Sequence, residues 1–346
     1  MAILLYCEDF LEHKPLVYHP ERPERLKIVL KAIEEYEIPV DFEKPPREEL
    51  EKASLVHDES YVRLVRDVLR GAPVNLDSDT YLSSGSLKSI QASIGASFRS
   101  VELAEEGRGP VFSLVRPPGH HAGIKGRAFN APSLGFCVFN NLAISAKVLI
   151  RKGIRPIFVL DFDAHHGNGT QEIFYDEREL VHVDLHQHPL TLYPGSGFPQ
   201  DLGGGGAFGT KVNLILSPGA GDDAYDLYLR EIIAPLAEVV RPKALLFSAG
   251  FDSYQGDGLA SLRASSRTFH RLAVELLENL PDIPVVAFLE GGYSRGLSRG
   301  LPAFLAALNQ MDDVIKDEPT RSRNLEEEKR TVRFLREVLS TIWELR

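Results

Sequence analysis

The sequence predicts an α/β fold: a single-domain open, mostly parallel sheet with helices on both faces. Three observations lead there. Short apolar, β-branched runs recur along the 346 residues, apolar at consecutive positions as strands buried on both faces are. Helix-patterned stretches separate them, and alternation of strand and helix builds parallel sheets. The turns after several of these runs hold the chain's most unusual polar residues, and open parallel sheets bind ligands beyond the carboxyl ends of their strands.

The first strand is "AILLY" (2–6). No basic region precedes it and no small-residue cleavage site follows, so it reads as a core strand and not a signal peptide. A helix is expected over 62–71 and a strand at "VFSLV" (111–115). The helix "NNLAISAKVLIRKG" (140–153) leads to the strands "IFVLDFD" (157–163), "LVHVDLH" (180–186) and "VNLIL" (212–216). The glycine-rich "DLGGGGAFGT" (201–210) is a flexible loop, and it lacks the strand-then-helix context of a dinucleotide site. "DDAYDLYLREIIAPLAEVV" (222–240) is a helix opened by Asp222 and Asp223. The strands "ALLFSAG" (244–250) and "VVAFLEGG" (285–292) complete the sheet. "DEPTRSRN" reads as a linker. An amphipathic helix at about 325–346 then presents Val332, Leu335, Val338, Leu339, Ile342 and Trp343 on one face. It is expected to pack onto a single domain spanning 1–346, with a dimer contact as the alternative.

Composition narrows the function. The net charge of −10 argues against a general nucleic-acid binder, which needs a basic surface, and it suits cationic substrates. With only Cys7 and Cys137 there is no disulfide framework and no cysteine zinc cluster, which points to a reducing cytoplasm. No apolar run is long enough to span a membrane. A monomer and a homo-oligomer are both compatible with the sequence.

Four strand ends carry chemistry. "DFDAHHGNGT" (161–170) places Asp161, Asp163, His165 and His166 where a buried strand ends. Asp163 and His165, two apart on an extended chain, point the same way. Asp252, after "ALLFSAG", supplies a third group. Three protein ligands with open positions mark a catalytic metal site. Oxygen and imidazole donors suit zinc, iron(II), cobalt or manganese. The alternative is a polar pair closing a strand end. His120 and His121, behind Pro117 and Pro118, can differ in proton affinity if each has a different partner. Tyr293, after a glycine pair, can turn its hydroxyl towards an oxyanion. Asp79 is either a rim carboxylate that grips a substrate backbone or a loop cap.

"HPERPERL", "RPPGHHA", "GFCVFNN", "DFDAHHGNGTQEIF", "LYPGSG", "SAGFDSYQGD" and "LEGGYS" follow one another between 19 and 294. In these motifs the chain resembles the zinc-dependent histone deacetylase superfamily, nearer its class II branch and the prokaryotic relatives. The resemblance implies one catalytic Zn2+, with Fe2+ or Co2+ as alternatives, held by Asp163, His165 and Asp252. It makes His121 the general base and acid. His120, backed by Asp161, becomes its partner, and Tyr293 the residue that polarises the substrate carbonyl. Phe136 and Tyr193 match the walls of an acyl-lysine channel, Gly135 matches the residue whose backbone carbonyl accepts from the substrate amide, Gly292 is a further substrate-binding position, and Arg25 lies near an acetate channel. It also implies a structural K+ held by backbone oxygens around Asp161, Asp163, His165 and Leu185.

Two departures stand out. Asn168 replaces an aspartate that supports the second histidine in some members, which implies a changed pKa and retained activity. Asp184 replaces a potassium-binding serine, which puts the details of that ion site in doubt. The implied reaction removes acetyl or other short acyl groups from acyl-lysine in proteins or peptides. Acetylpolyamines and other small N-acyl amines are the alternative. Leu259 falls where the polyamine-selective branch has a glutamate, which favours acyl-lysine. An arginase-like two-metal site is disfavoured by Gly167, which stands where a further aspartate would be needed. A non-catalytic acyl-lysine binder would need a damaged site, and none of the expected residues is missing.

Overall fold

Eight strands form one sheet in which every neighbouring pair is parallel. The structure is a computed structural model that describes residues 1–344. In chain order the strands are β1 (Ala2–Leu5), β2 (Val40–Glu43), β3 (Val111–Ser113), β4 (Ile157–Asp161), β5 (Leu180–Gln187), β6 (Lys211–Leu216), β7 (Ala244–Ala249) and β8 (Val285–Leu289). In space they run β6-β5-β4-β7-β8-β3-β1-β2. The strands whose ends carry the unusual polar residues, β4, β7, β8 and β3, are therefore consecutive, and their following loops lie side by side. β4, β5, β7 and β8 are buried along their whole length, so both faces of the sheet are covered.

The helices are α1 (Glu24–Glu35), α2 (Glu59–Leu69), α3 (Ser86–Glu105), α4 (Asn141–Arg151), α5 (Asn168–Ile173), α6 (Asp222–Tyr228), α7 (Ala234–Val240), α8 (Ser266–Asn279), α9 (Leu301–Leu308) and α10 (Glu326–Trp343). Among the described residues none is long and apolar enough to cross a membrane. The helix expected over 222–240 is continuous but widens into a π turn at Leu229–Ile233. Pro235 lies two residues beyond its end, and its missing N–H cannot complete the normal ladder.

Several sequence expectations need correction. β2, "VDFE", was not expected. It is the half-exposed edge strand, and its mixed pattern carries no buried-strand signal. α3 was missed too: the apolar signal of its buried Ile90, Ile94, Val101 and Leu103 is broken by the equally buried Ser86, Ser89, Ser93, Ser97 and Ser100. These small side chains let α4 approach closely, with Ser145 Oγ donating to Ser97 O at 2.7 Å. The stretch 317–324 is not a free linker. Asp222 at the start of α6 accepts from Thr320 N at 2.8 Å, and Asp223 accepts from Ser322 N at 2.8 Å. The glycine-rich stretch is pinned through the buried Leu202 and Ala207. α10 packs onto the sheet's β6 edge by way of Leu335 and Leu339, and Trp343 Nε1 donates to Gly209 O at 2.8 Å. Ile342 stays partly exposed, and residues 345–346 of the expected helix lie outside the described residues.

A phenylalanine cluster fixes the loops after β4 and β7. Phe162 and Phe251, each directly before an aspartate that enters the site, are fully buried with ring centroids 5.7 Å apart. Phe304 lies 5.3 Å from Phe162 and 5.9 Å from Phe251. Each buried ring contributes roughly 1.5–3 kcal/mol, enough to hold the neighbouring aspartates in place.

Candidate active site

Asp163, His165 and Asp252 converge. One donor atom from each lies within 4.8 Å of the others. His165 Nδ1 is 3.0 Å from Asp163 Oδ1 and 2.9 Å from Asp252 Oδ2, yet one N–H cannot serve both. Asp252 Oδ2 is buried without a hydrogen-bond partner. Both carboxylates are held from behind. Asp163 Oδ2 accepts from Gly291 N at 2.7 Å, and Asp252 Oδ1 accepts from Ala164 N at 2.9 Å. The backbone can come this close only at glycine, since a Cβ on Gly291 would lie 2.4 Å from Asp163 Oδ2. Burial lowers the proton affinity of His165, but Asp252 and Asp163 outweigh it and push its pKa up to about 10. A proton thus stands where a cation fits. Two carboxylates, one imidazole and one orphaned buried oxygen suit a divalent N/O-ligated ion.

The other histidine of the pair faces away. His166 Nδ1 lies 2.9 Å from Ser196 Oγ, and its Nε2 lies 3.0 Å from Gln171 Oε1. This answers the sequence's adjacent histidines: one enters the cluster and one braces a loop.

His120 and His121 stand beside the cluster with ring centroids 4.0 Å apart, and His121 is 6.0 Å from His165. His120 Nδ1 meets Asp161 Oδ2 at 2.9 Å. His121 Nδ1 meets Asn168 Oδ1 at 2.8 Å. The amide orientation follows from Asn168 Nδ2, which donates to Ala128 O at 3.2 Å. His121 therefore carries its proton on Nδ1 and leaves Nε2 as an acceptor. The partners divide the pair's chemistry. Burial opposes charge on both rings. At His120 the carboxylates of Asp161 and Asp163 overcome it and raise the pKa well above the ordinary value. At His121 burial is joined by the positive charge of His120 and His165, and the pKa falls well below it.

Tyr293 follows β8. Burial holds its phenol well above the ordinary value, so it is a hydrogen-bond donor at neutral pH. Its turn is fixed from two sides. Arg25 Nε donates to Gly292 O at 2.6 Å, another Arg25 nitrogen donates to Glu290 O, and the guanidinium lies 4.9 Å from the Tyr293 ring centroid. On the other side Asp257 accepts from Tyr293 N at 2.7 Å, Ser294 N at 2.9 Å and Gly296 N at 2.7 Å.

Phe136 stands edge-on to Tyr293 at 6.1 Å, and Tyr193 edge-on to His121 at 4.9 Å. Gly135, between these walls, has φ +55°, and a Cβ there would lie 2.4 Å from His121 Cδ2 and 2.9 Å from Tyr193 Cε1. Asp79 sits at this rim as a brace: its Oδ2 accepts from Ser133 Oγ at 2.5 Å, and its Oδ1 accepts from Thr80 Oγ1 at 3.0 Å. Leu259 lies on an exposed bend two residues after Asp257.

Sequence reasoning gave no role to Asp257 or Glu290. Glu290 Oε2 accepts from Gly119 N at 2.8 Å and His120 N at 3.1 Å, which fixes the tandem-histidine loop. Both act on backbone far away in sequence. Only their place inside the "GD" and "EGGY" motifs could have drawn attention to them.

A second group gathers behind Asp161. Asp161, His182 and Asp184 also bring donor atoms within 4.8 Å of one another, all three buried. Asp184 Oδ2 accepts from Gly167 N at 2.8 Å.

Comparison with known proteins places this geometry. The histone deacetylase domain family matches residues 19–308. An uncharacterised protein of Methanocaldococcus jannaschii is 38% identical over 91% of this chain and 90% of its own. A probable deacetylase of Archaeoglobus fulgidus is 36% identical over 84% of this chain and 81% of its own. Among solved structures, the crystal structure of the HDA15 HD domain superposes with a TM-score of 0.89 at 27% identity, covering 99% of this chain and 95% of that one.

Proposed function

The chain belongs to the histone deacetylase family and is a hydrolytic deacetylase, and from this premise we propose that it removes acetyl or short acyl groups from acyl-lysine in proteins or peptides. The observation that carries the reading is the Asp163–His165–Asp252 cluster with His121, its Nε2 left as an acceptor, 6.0 Å from His165 between ring centroids, and with the protonated phenol of Tyr293 within electrostatic reach of Asp252 and Asp163. The three ligands would hold one zinc ion. When bound, such an ion polarises a carbonyl and acidifies a water.

The chain's own residues do the rest. Phe136 and Tyr193 enclose the apolar stem of the acyl-lysine and exclude water around it. His121 Nε2 takes the proton of the attacking water, since Asn168 keeps its other nitrogen protonated. Tyr293 donates its hydroxyl to the carbonyl oxygen as charge develops there, a contribution worth about 10²–10³ in kcat for a typical oxyanion donor. His121 then gives its proton to the departing amine. His120, held charged by Asp161, keeps a positive edge against the reacting centre. The chain's negative charge suits partners with cationic surfaces.

Acyl-lysine is favoured over acetylpolyamines because Leu259 brings no carboxylate to the rim for a second ammonium. The test is kcat/KM of the zinc-reconstituted protein on an acetyl-lysine peptide, N-acetylputrescine and N-acetylspermidine. The peptide is expected to be turned over fastest, and Leu259→Glu to move preference towards the amines. Faster turnover of the amines by the unaltered protein would replace the lysine reading with a small-amine one.

A further inference from the structure

The resemblance implies a potassium ion near Asp161, held by backbone oxygens. The side chains gathered there form a different donor set. We propose that Asp161, His182 and Asp184 form a second metal site for a divalent ion of the zinc, manganese or cobalt kind, in place of that potassium.

The strand register builds the site. Asp161 on β4 pairs with Asp184 on β5, and Val159 pairs with His182. Paired residues share a face, and His182 and Asp184, two apart on β5, share it as well. The result repeats the Asp–His–Asp composition of the catalytic cluster. The second observation is His182 itself. It is fully buried, and neither ring nitrogen has a hydrogen-bond partner. Its Nε2 points at Asp184 Oδ2 from 3.6 Å, beyond hydrogen-bonding distance. Buried polar groups are rarely left so, and an ion between the two would give Nε2 its partner.

Donor chemistry selects the class of ion. Imidazole nitrogen is a ligand for zinc and the transition metals, whereas a potassium site is built from oxygens. One divalent ion also balances the two buried carboxylates. The existing contacts leave room. Asp184 Oδ1 is taken by His186 Nδ1 at 2.6 Å, while Asp184 Oδ2 and Asp161 Oδ1 each accept one backbone N–H and keep a second lone pair. His186 is steadied in turn by Gly197 O at 2.9 Å from Nε2, the kind of outer support metal ligands have. Lys211, the cation paired in register with His182, spends its amine on Leu180 O, Thr210 Oγ1 and Glu177 O.

The test counts metal and is independent of turnover. The full chain is stripped with a chelator, reloaded with zinc in potassium-containing buffer, freed of excess and analysed for bound zinc. Two ions per chain are expected in the unaltered protein, one in Asp252→Ala, one in His182→Leu or Asp184→Ser, and none when Asp252→Ala is combined with either. His182→Leu fills the buried position with an apolar side chain, and circular dichroism of its metal-free form verifies folding if Asp184→Ser does not fold. One zinc in the unaltered protein, lost in Asp252→Ala, would overturn the proposal. So would a second zinc that survives His182→Leu, or one that binds only when potassium is left out.

Discussion

Replacing Asn168 with aspartate tests how the two histidines are divided. His121 Nδ1 lies 2.8 Å from Asn168 Oδ1, and the neutral amide fixes the tautomer without adding charge. A carboxylate in its place would sit about 4 Å from the centre of an imidazolium. At an effective dielectric near 20 that interaction is about 4 kcal/mol, which at ~1.4 kcal/mol per pKa unit sets a ceiling of about 3 units. A rise of about 1–3 units is the expected range. His121 must be neutral to take a proton, so raising its pKa moves the acid limb of kcat/KM to higher pH by the same amount. Below that limb the rate falls about tenfold per unit. The change also turns a carboxylate oxygen towards Ala128 O, where Nδ2 now donates at 3.2 Å, which costs about 1–3 kcal/mol of stability. The assay is the pH–rate profile of Asn168→Asp beside the parent, with a melting curve to verify folding. A folded variant whose acid limb stays in place, or moves to lower pH, would refute the assignment of His121 as the base.

Other perturbations follow from the same geometry. Gly135→Ala forces an L residue to φ +55°, which costs about 1–2 kcal/mol. Its Cβ also collides with His121 and Tyr193, so kcat/KM should fall about 10²-fold with a modest drop in Tm. Asp257→Asn removes the carboxylate that gathers three backbone N–H groups around Tyr293. It should lower kcat about tenfold or more with little change in KM, since a misplaced oxyanion donor weakens mainly transition-state contacts. In the metal-free protein Asp252 and Asp163 overcome burial and push the pKa of His165 up to about 10, so metal must displace its proton. Apparent zinc affinity should therefore rise about tenfold per unit between roughly pH 7 and 9, with about one proton released per ion, as calorimetry in two buffers would show.

Much of the site was legible because its residues obey a local rule. Asp163, His165, Asp252, His120 and Tyr293 all sit at strand ends, and β4, β7, β8 and β3 prove to be neighbours. What sequence could not show is partnership across the chain. Asp257 works through the backbone of residues 293–296, and Glu290 through that of Gly119 and His120. His182 looks like one more strand residue until register sets it beside Asp161 and Asp184. In the fold, α3 escaped notice because five buried serines interrupt the apolar stripe of Ile90, Ile94, Val101 and Leu103. β2 escaped because an edge strand exposed on one side needs no apolar run. The linker around 317–324 was misread because polar residues suggest freedom, while here they bond to Asp222 and Asp223.

The Asp163–His165–Asp252 cluster is expected to hold the metal on which deacetylation depends. Acetate release from an acetyl-lysine peptide tests it most directly, measured for the metal-stripped protein, the zinc-reloaded protein and the reloaded Asp252→Ala variant. Acetate is expected from the reloaded parent alone. Equal release by Asp252→Ala, or by the stripped protein, would contradict it.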